Sequence, residues 1–205
     1  MLNIIEEIDE KILNEYGLEL IRKYGFFMDE KEKLYFKENI GKIETDFLGF
    51  GNYYAMALKY IRENLKGKHS IVDIGCAWGL FSYMFRDYDY IGLDESCNTF
   101  FKYHDNFKYV RGSFPDTAPE ADIFMAIMSL GFNRNFHLNS DNPNFINKLR
   151  KVFNNYNFGL TNTADWVQEV LEIDFIKTEV RDGSDKLYFW EKKDRKLEIQ
   201  QEGRI

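Results

Sequence analysis

The chain has 205 residues, a formal net charge of −7 at pH 7 and a sequence pI near 5.1. This length is enough for one well-buried domain, and the 44% hydrophobic and 17% aromatic content predicts a globular core instead of disorder. The acidic balance argues against extensive nucleic-acid binding, which depends on lysine and arginine contacts to phosphates.

The chain order suggests a main domain flanked by two smaller segments. Residues 1–50 are predicted to form an N-terminal helical extension, because apolar residues recur three or four positions apart in 2–16. Residues 51–192 carry the alternating strands and helices of the main domain. Residues 193–205 form a polar tail.

A helix is expected at the start of the main domain. Asn52 is a predicted N-cap, an apolar stripe follows at helical spacing, and Gly67 closes the helix. Phe50, Gly51 and Tyr53 near its start are candidate contacts for a ligand. The alternative is that the aromatic side chains here pack in the core or at an interface.

The next segment predicts a strand, a glycine loop and a helix. Residues 71–74 are an apolar run typical of a buried parallel strand. Gly-Cys-Ala-Trp-Gly follows at 75–79, and apolar residues at helical spacing occupy 80–85. Glycines at this turn allow the backbone to approach a ligand without a Cβ clash. The N-terminus of the following helix would offer free N–H groups.

The spacing of the loop excludes two common ligands. A dinucleotide fingerprint requires a third glycine where Leu80 stands, and a phosphate loop requires Gly-Lys-Ser or Gly-Lys-Thr. The pattern present is Asp-x-Gly-x-Ala-x-Gly, which begins at Asp73. Asp73 is therefore either part of a ligand site or a strand-end acid that satisfies loop N–H groups.

A second acid supports a nucleoside site. Residues 87–94 predict the next strand, and its last residue, Asp94, lies 19 positions after Gly75. In doubly wound folds an acid about 20 residues onward accepts hydrogen bonds from ribose hydroxyls. Such a carboxylate also repels a 2′-phosphate, which argues against NADP. The alternative for Asp94 is a helix cap or turn acid.

Beyond the second strand, strands and helices alternate, which predicts a doubly wound, mostly parallel α/β sheet. Ser96, Asn142 and Thr163 are expected helix caps, with Pro143 at the first position of the second of these helices. The loop at 182–185 predicts a C-terminal β-hairpin. The remaining expected strands are residues 107–110, 122–128, 158–161, 175–180 and 186–190.

The motif at 73–79 and the acid at Asp94 together resemble class I S-adenosylmethionine-dependent methyltransferases, with Ala77 where that family usually has a middle glycine. The resemblance implies a Rossmann-like, seven-stranded sheet with helices on both faces and an antiparallel C-terminal hairpin over about residues 50–192. It also implies S-adenosyl-L-methionine as the cofactor. The cofactor-binding residues that follow from it are Asp73, Gly75, Cys76, Ala77, Trp78, Gly79, Asp94, Glu95, Ser113, Phe114 and Met128.

The loop after the fourth strand, residues 129–141, is longer than the roughly 2–6 residues of ordinary connections, which favours a binding or lid role. His137 in this loop is a candidate general base; the alternative is a solvated loop histidine. The segment 129–132 lacks the two prolines that DNA amino-methyltransferases carry after this strand. This absence disfavours a DNA-base substrate.

The expected function is methyl transfer to an oxygen or nitrogen acceptor, most simply on a small molecule, while RNA or protein acceptors stay open. A catalytically degenerate S-adenosylmethionine-binding accessory protein is the alternative, since Ala77 departs from the motif and no acid stands near Ser113. A nicotinamide enzyme is disfavoured by Leu80. No His, Cys, Asp or Glu cluster has metal-ligand spacing.

Cysteine use and hydropathy indicate the compartment. Cys76 and Cys97, the two cysteines, give no disulfide framework. No run reaches the ~20 apolar residues of a membrane span. The N-terminus is acidic where a secretory signal starts with basic residues. We therefore expect a cytoplasmic protein with no membrane partner.

Overall fold

The structure is a computed structural model that describes residues 53–77, 79–95, 107–130, 136 and 138–194. Several sequence predictions fall outside these residues: the N-terminal extension, Phe50, Gly51, Trp78, the helix capped by Ser96, His137 and almost all of the polar tail.

One seven-stranded mixed sheet organises the described chain. Its strands are β1 (Ser70–Ile74), β2 (Asp89–Asp94), β3 (Lys108–Arg111), β4 (Ile123–Ile127), β5 (Phe158–Asn162), β6 (Phe175–Asp182) and β7 (Asp185–Lys192). They are ordered β3-β2-β1-β4-β5-β7-β6. The first five run parallel, whereas β7 is antiparallel to both β5 and β6. The mostly parallel sheet and its C-terminal hairpin are therefore confirmed.

Helices cover the two faces of the sheet. On one face lie α1 (residues 53–64) and a 3₁₀ helix (Leu80–Phe85), packed in a core with the side chains of alternate strand positions. On the other face lie α2 (Pro143–Phe153) and α3 (Asp165–Glu172). Within the described ranges, no helix has both the length and the apolar character needed to cross a membrane.

The helix predicted after the glycine loop is a 3₁₀ helix of only six residues. The Gly79 carbonyl accepts the Ser82 N–H at 3.1 Å and also the Ser82 hydroxyl at 2.6 Å, which favours the tighter i→i+3 turn. The Tyr88 N–H then bonds the Phe85 carbonyl at 2.9 Å, and the chain turns into β2. So short a helix carries only a small dipole.

Of the cap predictions for α2 and α3, the first is confirmed and the second is wrong. Asn142 caps α2 as predicted, and its side chain accepts backbone N–H groups of the first turn. Thr163 is not the cap of α3, because the helix starts later and Ala164 takes that position. The Ala164 carbonyl accepts the Val167 N–H at 3.0 Å, whereas the hydroxyl of the buried Thr163 accepts no capping hydrogen bond within the described residues.

Charged side chains follow one another along β6, which forms one edge of the sheet. Lys177 forms an ion pair with Glu172 at 2.7 Å and lies 4.4 Å from the centre of the Tyr188 ring. Arg181 pairs with Glu179 on the same strand. The edge strand therefore carries both signs of charge.

Candidate functional site

The loop between β1 and the 3₁₀ helix adopts left-handed backbone angles at every second position. The φ angles are +77° at Gly75, +49° at Ala77 and +71° at Gly79. Glycine adopts this region freely, whereas a residue with a Cβ does so at a cost. Ala77 therefore stands where the backbone geometry favours a glycine.

An Ala77→Gly variant is expected to be more stable than the wild type by about 0.5–1 kcal/mol, because the strain at φ +49° is relieved. The gain is bounded by the extra entropy that glycine gives the unfolded chain. Urea unfolding of both proteins measures it. A loss of stability would show that the Ala77 methyl group contributes packing that outweighs the strain.

The two loop glycines are required by neighbouring protein atoms. A Cβ built on Gly75 would lie 2.4 Å from the Ser129 Cβ, and one on Gly79 would lie 2.3 Å from Tyr109 Cε1. The Ser129 hydroxyl donates to the Ile74 carbonyl at 2.6 Å. The loop is thus fitted tightly against the end of β4 and against β3, two supports that the sequence analysis missed because they lie 30 or more positions away.

Asp94 lies at the carboxyl end of β2 and faces this loop. Its Oδ2 accepts the Ala77 N–H at 3.0 Å, so Asp94 itself holds the middle of the loop. The backbone carbonyl of Asp94 accepts the Gly112 N–H at 3.0 Å, which ties the loop after β3 to the same point. One alternative for Asp73 was that it accepts a hydrogen bond from a loop N–H. At Ala77 it is Asp94 that accepts this hydrogen bond.

Asp73 is 1% exposed, below the loop on the α1 face of the sheet. Its Oδ2 accepts hydrogen bonds from the Tyr54 hydroxyl at 3.0 Å and the Tyr90 hydroxyl at 2.5 Å. Burial raises the pKa of Asp73 to about 7, against the opposing effect of the two phenols. Within the described part of the chain, Asp73 Oδ1 has no hydrogen-bond partner.

A cavity of about 210 Å³ opens at the carboxyl ends of β1, β2, β3 and β4. It brings together six of the residues predicted from sequence, from the ends of four different strands. They are Gly75, Asp94, Glu95, Ser113, Phe114 and Met128. The cavity is also lined by Ile74, Leu93, Gly112, Ser129, Leu130 and Phe136. Asp73, Cys76, Ala77 and Gly79 lie in or under the loop and do not line it.

An acid from another loop reaches Ser113, which lies in the loop after β3. The Ser113 hydroxyl donates to Glu95 Oε2 at 2.8 Å, so a carboxylate from the loop after β2 lies beside Ser113. Phe114, 7% exposed, supplies an apolar wall to the same cavity. This end of the cavity therefore combines a hydrogen-bond acceptor with an aromatic ring.

The end of β4 is strained at the cavity. Met128 has a φ of +51°, and its side chain is 37% exposed. Its N–H donates to the Asn162 carbonyl of β5 at 3.0 Å, which holds this conformation. Strained backbone of this kind clusters at functional sites. On the same edge, the Tyr53 hydroxyl donates to Asp185 at 3.4 Å.

The fold is similar to that of a solved methyltransferase. The ribosomal protein L11 methylase from Lactobacillus delbrueckii subsp. bulgaricus matches with a TM-score of 0.50 at 9% identity, over 71% of this chain and 80% of that chain. A methyltransferase from Pyrococcus furiosus gives 0.44 at 10% identity, over 67% and 82%. Monomeric WbdD gives 0.47 at 13% identity over 67% of this chain, which spans 39% of WbdD.

No protein-family model and no curated protein sequence matches the chain. The structural match to the L11 methylase establishes the fold alone. The chain has the fold of class I S-adenosylmethionine-dependent methyltransferases.

Proposed function

We propose that this chain is an S-adenosylmethionine-dependent methyltransferase that acts on an oxygen or nitrogen of a small molecule. The observation that carries the proposal is the placement of Asp94 in a cavity at the carboxyl ends of the strands. The strand order reverses between β1 and β4, and ligands of open α/β sheets bind at such a switch point. The acid and the glycine loop meet at that point.

The residues around the cavity suit the parts of this cofactor. Asp94 would accept hydrogen bonds from the ribose hydroxyls. Glu95, Ser113 and Phe114 would surround the adenine, because the base is bonded directly to the ribose and the cavity continues in that direction. The amino-acid arm, which leaves the ribose on its other side, would lie toward Gly75 and the end of β1.

The chain needs no nucleophile for this chemistry, because the sulfonium of the cofactor makes its methyl carbon electrophilic. The role of the protein is to hold the two reactants in line and to exclude water. Met128 and Ser129, at the end of β4, line the cavity where an acceptor could approach. His137 stays a predicted general base that lies outside the described residues.

A small-molecule acceptor is supported by the net charge of −7, which disfavours the phosphate backbone of nucleic acids. The test is calorimetric titration with S-adenosylhomocysteine, followed by transfer of a radiolabelled methyl group from S-adenosylmethionine to fractionated metabolites. Absence of binding at millimolar ligand would refute the proposal. Binding without transfer to any fraction, protein or RNA would favour an accessory role.

Replacement of Asp94 by alanine is expected to weaken S-adenosylhomocysteine binding by at least tenfold, because hydrogen bonds to a charged acceptor contribute about 1.5–3 kcal/mol each. The fold should lose only about 1 kcal/mol with the Ala77 contact. Calorimetry and thermal unfolding separate the two effects. Asp89→Asn, at the exposed start of the same strand, is the matched control. Unchanged affinity in the Asp94 variant would remove the ribose assignment.

A further inference from the structure

A second cavity, of about 360 Å³, opens at the amino ends of the parallel strands, opposite the first. Its walls come from the last turn of α1, the segment before β1, the start of β5 and the end of β7. His69 precedes β1 and Gly75 follows it, so the two cavities are about 20 Å apart at roughly 3.3 Å per strand residue. The second cavity is therefore separate from the one proposed to hold the cofactor.

The floor of this second cavity is aromatic. Phe158 and Phe189 are buried, and their rings stack at 5.7 Å between centroids. The Tyr60 ring lies against Phe189 at 4.5 Å, and the His69 ring meets Phe158 edge-on at 6.0 Å. Four rings in contact thus offer a surface on which another planar apolar group can pack.

An acid stands above this floor, where the strand pattern would place an apolar residue. Leu187, Phe189 and Glu191 share one face of β7, since alternate strand residues point the same way. The first two are buried in the core, whereas Glu191 is half-buried and lines the cavity. The strand register sets Glu191 opposite Phe158 of β5. The cavity therefore combines an aromatic floor with a negative charge.

The polar groups that line the cavity have unused hydrogen-bonding capacity. Among the described residues, Glu191 takes part in no ion pair and in no side-chain hydrogen bond. The Asn64 amide N–H donates to the Tyr60 carbonyl at 3.0 Å, which leaves Asn64 Oδ1 as an acceptor. Burial and, second, the charge of Glu191 raise the pKa of Tyr60, so its hydroxyl keeps its proton.

The positive groups nearby leave Glu191 uncompensated. His69 Nε2 donates to the Lys66 carbonyl at 3.0 Å, and its Nδ1 lies 3.9 Å from Asp122 Oδ2, so both nitrogens have other partners. The Lys66 side chain is exposed at the rim, where solvent and salt screen its charge. In the described part of the chain, neither residue pairs with Glu191. The interior of the cavity therefore favours a cation.

We propose that this cavity binds a small aromatic molecule that carries a primary ammonium group. The ring packs on Phe158 and Phe189, and the ammonium donates to the Glu191 carboxylate and to Asn64 Oδ1. The ring faces of Tyr60 and Phe189 add to this preference, because aromatic faces attract cations. The binding is distinct from methyl transfer and does not depend on the proposed function.

The test compares phenethylamine with phenethyl alcohol, a neutral ligand of the same shape. Each is titrated into the full-length protein, and binding is followed by the chemical shifts of the protein in NMR spectra. The amine is expected to bind with a dissociation constant of about 1 mM or lower. The alcohol should bind at least about tenfold more weakly, because hydrogen bonds to a charged partner are the stronger ones. Equal affinities, or no binding of the amine at millimolar concentration, would overturn the proposal.

Glu191→Gln should lower the affinity for the amine about tenfold and change that for the alcohol less than about twofold. Glu169→Gln is the matched control, because it makes the same substitution at an exposed position of α3 on the opposite face of the sheet. It should alter neither affinity. Should Glu191→Gln fail to fold, as judged by circular dichroism, Asn64→Ala at the exposed end of α1 replaces it and should show the same selective loss. A loss of equal size for both ligands would contradict the role of the carboxylate.

A competition experiment distinguishes the two cavities. The amine titration, repeated with saturating S-adenosylhomocysteine, should give the same dissociation constant. Displacement of the amine would place it in the cofactor cavity and overturn the proposal. If S-adenosylhomocysteine itself fails to bind, the proposed function fails, whereas the second site is still decided by the amine and its Glu191 dependence.

Discussion

An Asp73→Asn variant is expected to gain stability relative to the wild type as the pH rises. Burial raises the pKa of Asp73 from 3.8 to about 7, an effect that the phenols of Tyr90 and Tyr54 oppose and the charge of Asp94 adds to. The folded state therefore binds more protons than the unfolded state between these two values. Its free energy of unfolding must fall as the pH rises through that window. Asparagine does not titrate, so the variant escapes this loss.

Above pH 7 the wild type has lost free energy of unfolding of the order of 4 kcal/mol through this carboxyl. About 2 kcal/mol of that loss should appear between about pH 5.5 and pH 8.5. Urea unfolding of both proteins at these two pH values measures the change in their difference. Asp174→Asn is a control of opposite type, because the Arg150 hydrogen bond lowers the pKa of Asp174. The stabilising effect of the Asp174 carboxylate is lost only as the pH falls into the acid range. The difference in free energy of unfolding between Asp174→Asn and the wild type should therefore be the same at both pH values. A constant difference for Asp73→Asn would show that its carboxyl does not hold a proton near neutrality.

Substitution of Gly79 by alanine is expected to lower the free energy of unfolding by about 2–4 kcal/mol and to abolish ligand binding. Two costs add: the left-handed φ of +71°, and a Cβ placed 2.3 Å from the Tyr109 ring. The ring cannot retreat freely, because the Tyr109 hydroxyl is hydrogen-bonded to Ser82 at 2.8 Å. Chemical denaturation measures the loss.

A matched variant separates the two costs. Gly183 has a φ of +56° in the β6–β7 turn, but a Cβ there meets nothing within 4 Å, so Gly183→Ala reports backbone strain alone, about 1 kcal/mol. Tyr109→Ala in the Gly79→Ala background should recover the steric part and leave the strain. If Gly79→Ala costs no more than Gly183→Ala, the Tyr109 ring does not define the loop.

The sequence was sufficient for features whose signals are local. The apolar runs and the pair Asn142-Pro143 each depend on neighbours along the chain, and the structure confirms the strands and the helix cap that they predict. The hairpin turn was also predicted correctly, because Gly183 and its polar neighbours separate two strands. These elements need no knowledge of what packs against them.

The features that the sequence did not predict depend on distant partners. The helix after the loop is shortened by Ser82, whose hydroxyl bonds back to Gly79 in competition with the α-helical pattern. Glu95 reaches across to Ser113, 18 positions away, and supplies the carboxylate that seemed to be missing. The phenols on Asp73 come from α1 and β2, and periodicity marks Tyr54 and Tyr90 only as core aromatics. Such pairings follow from the assembled sheet.

The alternation of charge along β6 has a consequence for behaviour at high concentration. An outer strand leaves a row of backbone groups to which another chain could add by continuing the ladder. An added strand beside β6 would desolvate Lys177, Glu179 and Arg181. It would also disturb the ion pair of Lys177 with Glu172 and that of Arg181 with Glu179. The charges along β6 therefore oppose edge-to-edge association of copies of this chain.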